Sequence, residues 1–275
     1  MPVYNGADYL DGALASLSGQ SFQDMQIIIS DNASTDATPE IIAAWKKRDP
    51  RISACRQSEN MGAPANFDWV LQQAAAPWVM FAAHDDWWSP NYVEELYGAA
   101  TARPGTQLAV PLVTLIRPDG SENPKPFDER LNGAQGLHKK LLSLLRVRSG
   151  WYYGLYERQA LIAARNNSKR FKYVWAADFI MLLPFLLAGT VTGSNAAIYY
   201  QRETPLSALR YKPKTLPEQF EFYRSFLRES WHILQAAPLT FFERLALAPL
   251  LILYTDRCAW KLRRLIRSVF IKDRT

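Results

Sequence analysis

The first 116 residues alternate apolar segments of strand length with segments of helical periodicity, and that rhythm restricts the chain to few architectures. Tyr9 to Leu17 spaces its apolar residues for a helix, and Met25 to Ile29 is a short apolar strand. Pro39 to Lys47 reads as helix with Pro39 in its first turn, Arg51 to Arg56 alternates like a strand, and Ala63 to Ala75 returns to helix. Trp78 to Ala83 is strand, Tyr92 to Ala102 helix, and Gln107 to Ile116 strand. Alternation at this pace predicts an α/β fold with a mostly parallel sheet flanked by helices. Residues 117–136 turn to Pro, Gly, Asn and charge without periodicity, which predicts a long loop. Ala177 to Ala188 is apolar and helical despite Pro184, and Thr190 to Tyr200 reads as strand. Gln201 to Thr215 is loop; Leu216 to Leu234 and Thr240 to Phe270 read as helices. The expected organisation is a main domain over 1–205 and a C-terminal helical extension over 206–275.

The strand beginning at Trp78 ends in His84, Asp85 and Asp86. Ser89-Pro90, with Glu94 and Glu95 beyond, marks a helix start just after it. Acids at the carboxyl end of a strand sit where open α/β sheets bind ligands. Two adjacent carboxylates repel unless positive charge lies beside them, and a hard divalent cation carrying phosphates is one solution. The plainer alternative is that one Asp caps the helix and the other is solvated.

Charge excludes one class of partner. The net charge of +6 is held entirely by residues 257–275, which carry seven basic residues and one acid. The remainder is neutral, so the basic balance describes a tail and no nucleic-acid-binding body. On a helical reading the tail puts Leu262, Leu265, Ile266 and Val269 on one face. Such a cationic amphipathic helix either lies on an anionic membrane or packs on the domain with its basic face outward. Cys55 and Cys258 fit no zinc or redox spacing, and no apolar run reaches the length of a membrane span. A cytoplasmic protein is expected, in contact with the inner face of the cell membrane if the tail helix binds lipid.

The order of motifs is more specific than any one of them. Pro2-Val-Tyr-Asn-Gly6 is followed by Asp31-Asn32, then Glu59-Asn60-Met-Gly62 with Asn66, then the His-Asp-Asp strand end. Trp151-Tyr-Tyr-Gly154 and Trp175-Ala-Ala-Asp178 come later. This series resembles the family 2 glycosyltransferases over roughly the first two hundred residues. The resemblance implies a GT-A fold and inverting, metal-dependent transfer of a sugar from a nucleotide-sugar donor, UDP- or dTDP-linked, to a glycan or lipid-linked acceptor. It implies that Pro2, Tyr4, Asn5, Asp31, Asn32, Asn60 and Asp85 bind the nucleotide, that Asp86 ligates Mg²⁺ or Mn²⁺, and that Asp178 is the general base.

Three departures accompany the resemblance. His84 and Ala177 stand where relatives commonly carry further acids. In the family an apolar strand also precedes the Pro-x-Tyr-Asn turn, whereas Met1 directly precedes it here. The expectation is therefore a first strand missing upstream of Met1, with a gap in the sheet. Plainer roles compete at several positions: Ser34 and Asp36 as caps of the following helix, Asp178 as a helix N-cap, and Arg202 as a solvated arginine. Two other functions share these features, a nucleotidyltransferase and a catalytically idle sugar-nucleotide or glycan-binding partner. The first would need a Gly-rich loop followed by Lys or Arg near its first strand, which the sequence lacks.

Overall fold

The computed structural model describes residues 1–203 and 211–259. The chain divides into two compact units, both discontinuous in sequence, where a single boundary near 205 was expected. The first comprises Met1–Glu129, Tyr153–Ile162 and Thr192–Glu203; the second takes the rest.

In the first unit the alternation read from the sequence is realised closely. It runs β1 (Pro2–Val3), α1 (Ala7–Ser18), β2 (Ile27–Asp31), α2 (Thr38–Arg48), β3 (Ile52–Arg56), α3 (Ala63–Gln73), β4 (Trp78–Met80), β5 (Trp87–Trp88), α4 (Tyr92–Thr101) and β6 (Leu108–Ile116). Helix α1 buries Leu10, Ala13, Leu14 and Leu17, the spacing of one helical face. Residues 117–136, expected as loop, contain β7 (Glu122–Lys125), which folds back antiparallel onto β6. Strands β8 (Leu155–Glu157) and β9 (Val191–Arg202) complete the sheets, with only Val191 falling outside the unit.

The first three strands pair in parallel. Strands β1, β2 and β3 form one parallel sheet in that order, and β4-β8-β6-β9-β5 form a second, with β7 beside β6. The registered pairs β4–β8, β5–β9, β6–β7 and β6–β8 are all antiparallel. The single, mostly parallel sheet expected from alternation is thus split, because β1 and β4 are each an edge and are not hydrogen-bonded to one another.

Beside those two edges lies a cavity of about 450 Å³, lined by Met1, Ile28, Val79 and Met80 with apolar groups such as Leu71 and Val93. The Met1 amine is buried at its rim and donates to the Ile28 carbonyl at 2.6 Å, continuing the ladder in which the Ser30 N–H donates to the Met1 carbonyl. Burial pushes that amine down to about 5.

The second unit is helical: α5 (Arg130–Gly133), α6 (Gly136–Arg146), most of α7 (Arg158–Ser168), α8 (Ala177–Ala188), α9 (Leu216–Ala236), α10 (Phe241–Leu247) and α11 (Leu250–Cys258). Helix α8 is apolar nearly all round and buries seven residues between Ile180 and Leu187, packed by α6 and α9. A ring cluster of Phe171, Tyr173, Phe222 and Phe226 extends this core. Capping boxes at Thr215/Glu218 and Thr240/Glu243 start α9 and α10. The continuous helix expected from Thr240 to Phe270 is interrupted at Ala248-Pro249, since proline cannot donate to the preceding turn. The amphipathic face expected beyond Ala259 lies outside the described residues. Among the described residues no helix is long and apolar enough to cross a membrane.

Candidate active site

Register brings three strand ends to one edge. Val3 pairs with Asp31 and Asp31 with Arg56, so the segments after β1, β2 and β3 emerge together. Asn5, in the left-handed region at φ 49°, fixes the first of them. Its N–H donates to Ser34 Oγ at 2.9 Å, and its Oδ1 accepts from the Thr35 N–H at 2.8 Å. Gly6 N–H donates to Thr38 Oγ1, and Ala7 N–H to Asp36 Oδ2. Ser34 therefore ties the first turn, as does Asp36, whose Oδ1 also accepts from Thr38 N–H; neither is the N-cap of α2, a position Ala37 holds without a side-chain cap. Pro2 is buried within β1, and Tyr4 is exposed.

The expected nucleotide residues Asn32 and Asn60 meet directly. Asn32 Nδ2 donates to Asn60 Oδ1 at 2.8 Å, and Asn32 Oδ1 accepts from Met61 N–H at 3.0 Å. Asn60 Oδ1 also accepts from the N–H of Gly62, whose φ of 82° favours glycine. The buried Asn66 holds this loop from below, donating to the Ser30 carbonyl. Asp31 is different. It is 2% exposed, and its Oδ1 accepts from Ser34 N–H, but its buried Oδ2 takes no hydrogen bond. The nearest cation to that oxygen is Arg56 Nε, 3.6 Å away on a side chain that is 54% exposed. A buried acceptor left without a donor is costly, so this oxygen is primed for one.

The acid pair follows β4. His84 packs on the backbone of Gly6 so closely that a Cβ there would lie 2.5 Å from the imidazole, which makes it a wall residue. Asp86 is buried, and both its oxygens are engaged: the Tyr199 hydroxyl donates to Oδ2, and Arg202 N–H donates to Oδ1 at 2.7 Å. Burial, with Asp85 beside it, pushes the Asp86 carboxyl well above the usual carboxylate range. Asp85 is partly exposed and its carboxylate makes no hydrogen bond among the described residues. Arg202 completes the cluster. Its Nε donates to the Asp85 carbonyl at 3.1 Å, and its guanidinium lies 4.5 Å from the Tyr9 ring centre and 5.0 Å from that of Trp87. Trp87 in turn stacks on Tyr200. The expected solvated arginine is a pinned one.

These residues do not fit the divalent cation expected at Asp86. Mg²⁺ and Mn²⁺ need a carboxylate oxygen turned toward the ligand, and Asp86 turns both inward to Tyr199 and Arg202. A cation would also sit beside the Arg202 charge. Among the described residues no three His, Cys, Asp or Glu side chains converge as a metal set.

Asp178 stands in the second unit, in the first turn of α8. It is not the N-cap. Ala176 holds that position at φ 60°, and no side chain caps the helix. The Asp178 side chain keeps a partial opening to solvent, yet its apolar surroundings push its carboxyl up to about 7. A carboxyl poised near neutrality is suited to taking a proton.

Tyr9, Arg56, Trp87, Tyr199 and Arg202 are the residues that sequence reasoning left aside or undervalued. The Trp87-Trp88 pair directly after two acids was the available signal, since aromatic faces hold cations.

Residues 1–161 match the model of Glycosyl transferase family 2. A putative teichuronic acid biosynthesis glycosyltransferase, TuaG of Bacillus subtilis, is 34% identical over 94 residues, 34% of this chain and 37% of that protein. For several such relatives the matched stretch is between 14% and 37% of their length. Among solved structures, residues 1–349 of TarS from S. aureus in complex with UDP-GlcNAc superpose at a TM-score of 0.73. That superposition is at 18% identity and covers 98% of this chain and 74% of TarS. The mannosyltransferase PcManGT from Pyrobaculum calidifontis, in complex with GDP-Man and Mn²⁺, superposes at 0.58 and 14% identity, covering 98% of this chain and 72% of that one. These likenesses carry the α/β fold of GT-A type, and with the match over most of the first unit the chain belongs to glycosyl transferase family 2.

Proposed function

We propose that the chain transfers a glycosyl group from a nucleotide-sugar donor, UDP- or dTDP-linked, to a hydroxyl of a glycan or lipid-linked acceptor, with inversion. The observation that carries the donor half is the buried Oδ2 of Asp31, which takes no hydrogen bond, at the joint edge of β1, β2 and β3. Uracil and thymine present an imino N–H that such an oxygen accepts, and the half-exposed Arg56 side chain, held by its bond to the Ser34 carbonyl, lies beside it. Asn5, Asn32 and Asn60 hold the surrounding loops in place, and the exposed Tyr4 offers a face for the base. The bound UDP-GlcNAc of TarS supports the same donor class.

Asp178 is the proposed base. Its carboxylate takes the acceptor hydroxyl proton while that oxygen bonds to the anomeric carbon from the face opposite the diphosphate. The carbon–oxygen bond to the diphosphate breaks, and the nucleoside diphosphate leaves with inverted geometry at the sugar. A base tuned near neutrality has both the correct charge state and enough driving force. The teichuronic acid pathway named for TuaG supports a cell-envelope acceptor, and the basic residues 257–275 support work at the inner membrane face.

The test is binding of UDP, dTDP and GDP to the protein and to Asp31→Asn. The amide presents N–H to the imino N–H, so UDP and dTDP should bind at least about tenfold more weakly, the loss of one buried hydrogen bond. Weak GDP binding should be unaffected. Equal UDP affinity in Asp31→Asn would remove Asp31 from the site, and hydrolysis of donor by the wild type separates an enzyme from an idle binder.

A further inference from the structure

We propose that Arg202 is the donor's phosphate anchor, supplying from the protein the positive charge for which a divalent cation was expected; this rests on the nucleotide-donor reading above. Three observations converge. The arginine is held at both ends, its main-chain N–H on Asp86 Oδ1 and its Nε on the Asp85 carbonyl. Its plane is flanked by Tyr9, in the first helix after the Pro2–Gly6 turn, and by Trp87, directly after the acid pair. The guanidinium thus sits between the turn assigned to the base and the acids at the strand end. Among the described residues no hydrogen bond or ion pair reaches its two terminal nitrogens, although Asp86 feels its charge.

That combination is a receptor for an oxyanion. A guanidinium offers two parallel N–H donors to two phosphate oxygens, and charge-assisted bonds of this kind are about twice as strong as neutral ones. Stacking and the Nε bond remove the rotamer freedom that an exposed arginine would lose on binding. Asp86 then has a defined task. It is a positioning residue, whose two oxygens hold the Arg202 main chain and the Tyr199 hydroxyl, both on the strand that carries Arg202. The inward turn of Asp86 and the outward fork of Arg202 are two sides of one arrangement.

The experiment compares uridine and UDP binding to the full chain by calorimetry, with excess EDTA and with Mn²⁺. Wild type should bind UDP at least tenfold more tightly than uridine in EDTA, with little gain from Mn²⁺. Arg202→Ala and Arg202→Gln both keep the main-chain bond to Asp86; each should lose that tenfold preference while binding uridine as wild type does. Uridine affinity thereby certifies the fold of each variant. The proposal is overturned if either variant binds UDP as tightly as wild type, or if wild-type UDP binding disappears in EDTA and returns with Mn²⁺. If uridine binds and UDP gains nothing over it, only the phosphate anchor fails. If neither binds under any condition, the donor reading itself is wrong and this proposal falls with it.

Discussion

Replacing Asp178 with Asn should make the protein more stable at pH 8 while removing its transfer activity. Burial raises the Asp178 carboxyl from its ordinary 3.8 to about 7, with no cation among the described residues to offset the cost. In the folded protein the group keeps its proton up to about pH 7; in the unfolded chain it loses it near pH 4. Between those values the folded state binds the extra proton, so this group's contribution is most favourable below pH 4 and declines as pH rises to 7. A shift of about three units at 1.36 kcal/mol each gives about 4 kcal/mol, and the partial solvent opening lowers it to roughly 2–4 kcal/mol. Asn has the same shape and cannot ionise, so Asp178→Asn should gain that amount at pH 8 and only about a quarter of it at pH 4.5, where the unfolded carboxyl is already mostly ionised. Urea titrations at the two pH values measure it, provided the slope is unchanged. Donor affinity should persist, and transfer should fall by about a hundredfold to ten-thousandfold, the usual worth of a general base. In the wild type, transfer should rise with pH through about 7 as the base loses its proton. Equal urea midpoints for the two proteins at both pH values would refute the buried-charge argument. Transfer at the wild-type rate would place the base elsewhere.

Two further outcomes are expected. Gly6→Ala should cost about 1–3 kcal/mol, because the new methyl meets His84 at 2.5 Å and Val3 at 2.8 Å. Adding His84→Ala should recover part of it, and strictly additive melting losses would deny the contact. Truncation after Ala259 should release the protein from anionic vesicles at low salt, since each basic residue near such a surface is worth about 1 kcal/mol; failure of the full chain to sediment with those vesicles refutes a membrane role for the tail.

Sequence patterns located the elements whose stabilising contacts are nearby. Helix α1 and strands β2 and β3 were legible because their burial follows local periodicity, and α8 was matched at both ends. Strand β5 was not, since two tryptophans before a helix start carry no strand period and pair only with Tyr199 and Tyr200. Strand β7 was hidden inside Glu-Asn-Pro-Lys, a segment made strand only by its partner β6. In the site, Asp31 could be read from its place after three isoleucines. The orientation of Asp86 could not, because it is set by residues 113 and 116 positions away. A motif shows that two acids are present at a strand end and says nothing of which way each turns.

The hollow beside β1 and β4 has a consequence for handling the protein. Both flanking strands are sheet edges, and edge backbone against apolar walls is a template on which extended chain from any source can align. Preparations beginning at Met1 should self-associate as concentration rises, and a short apolar peptide supplied in excess should suppress this by occupying the same edges. The same hollow offers a graft point: extended residues fused ahead of Met1 would continue the existing ladder to Ile28 and convert a buried amine into an ordinary amide. The fused protein would no longer need to shed a proton at its first residue on folding at neutral pH, so its stability would lose the part that falls as pH drops from 8 to 5.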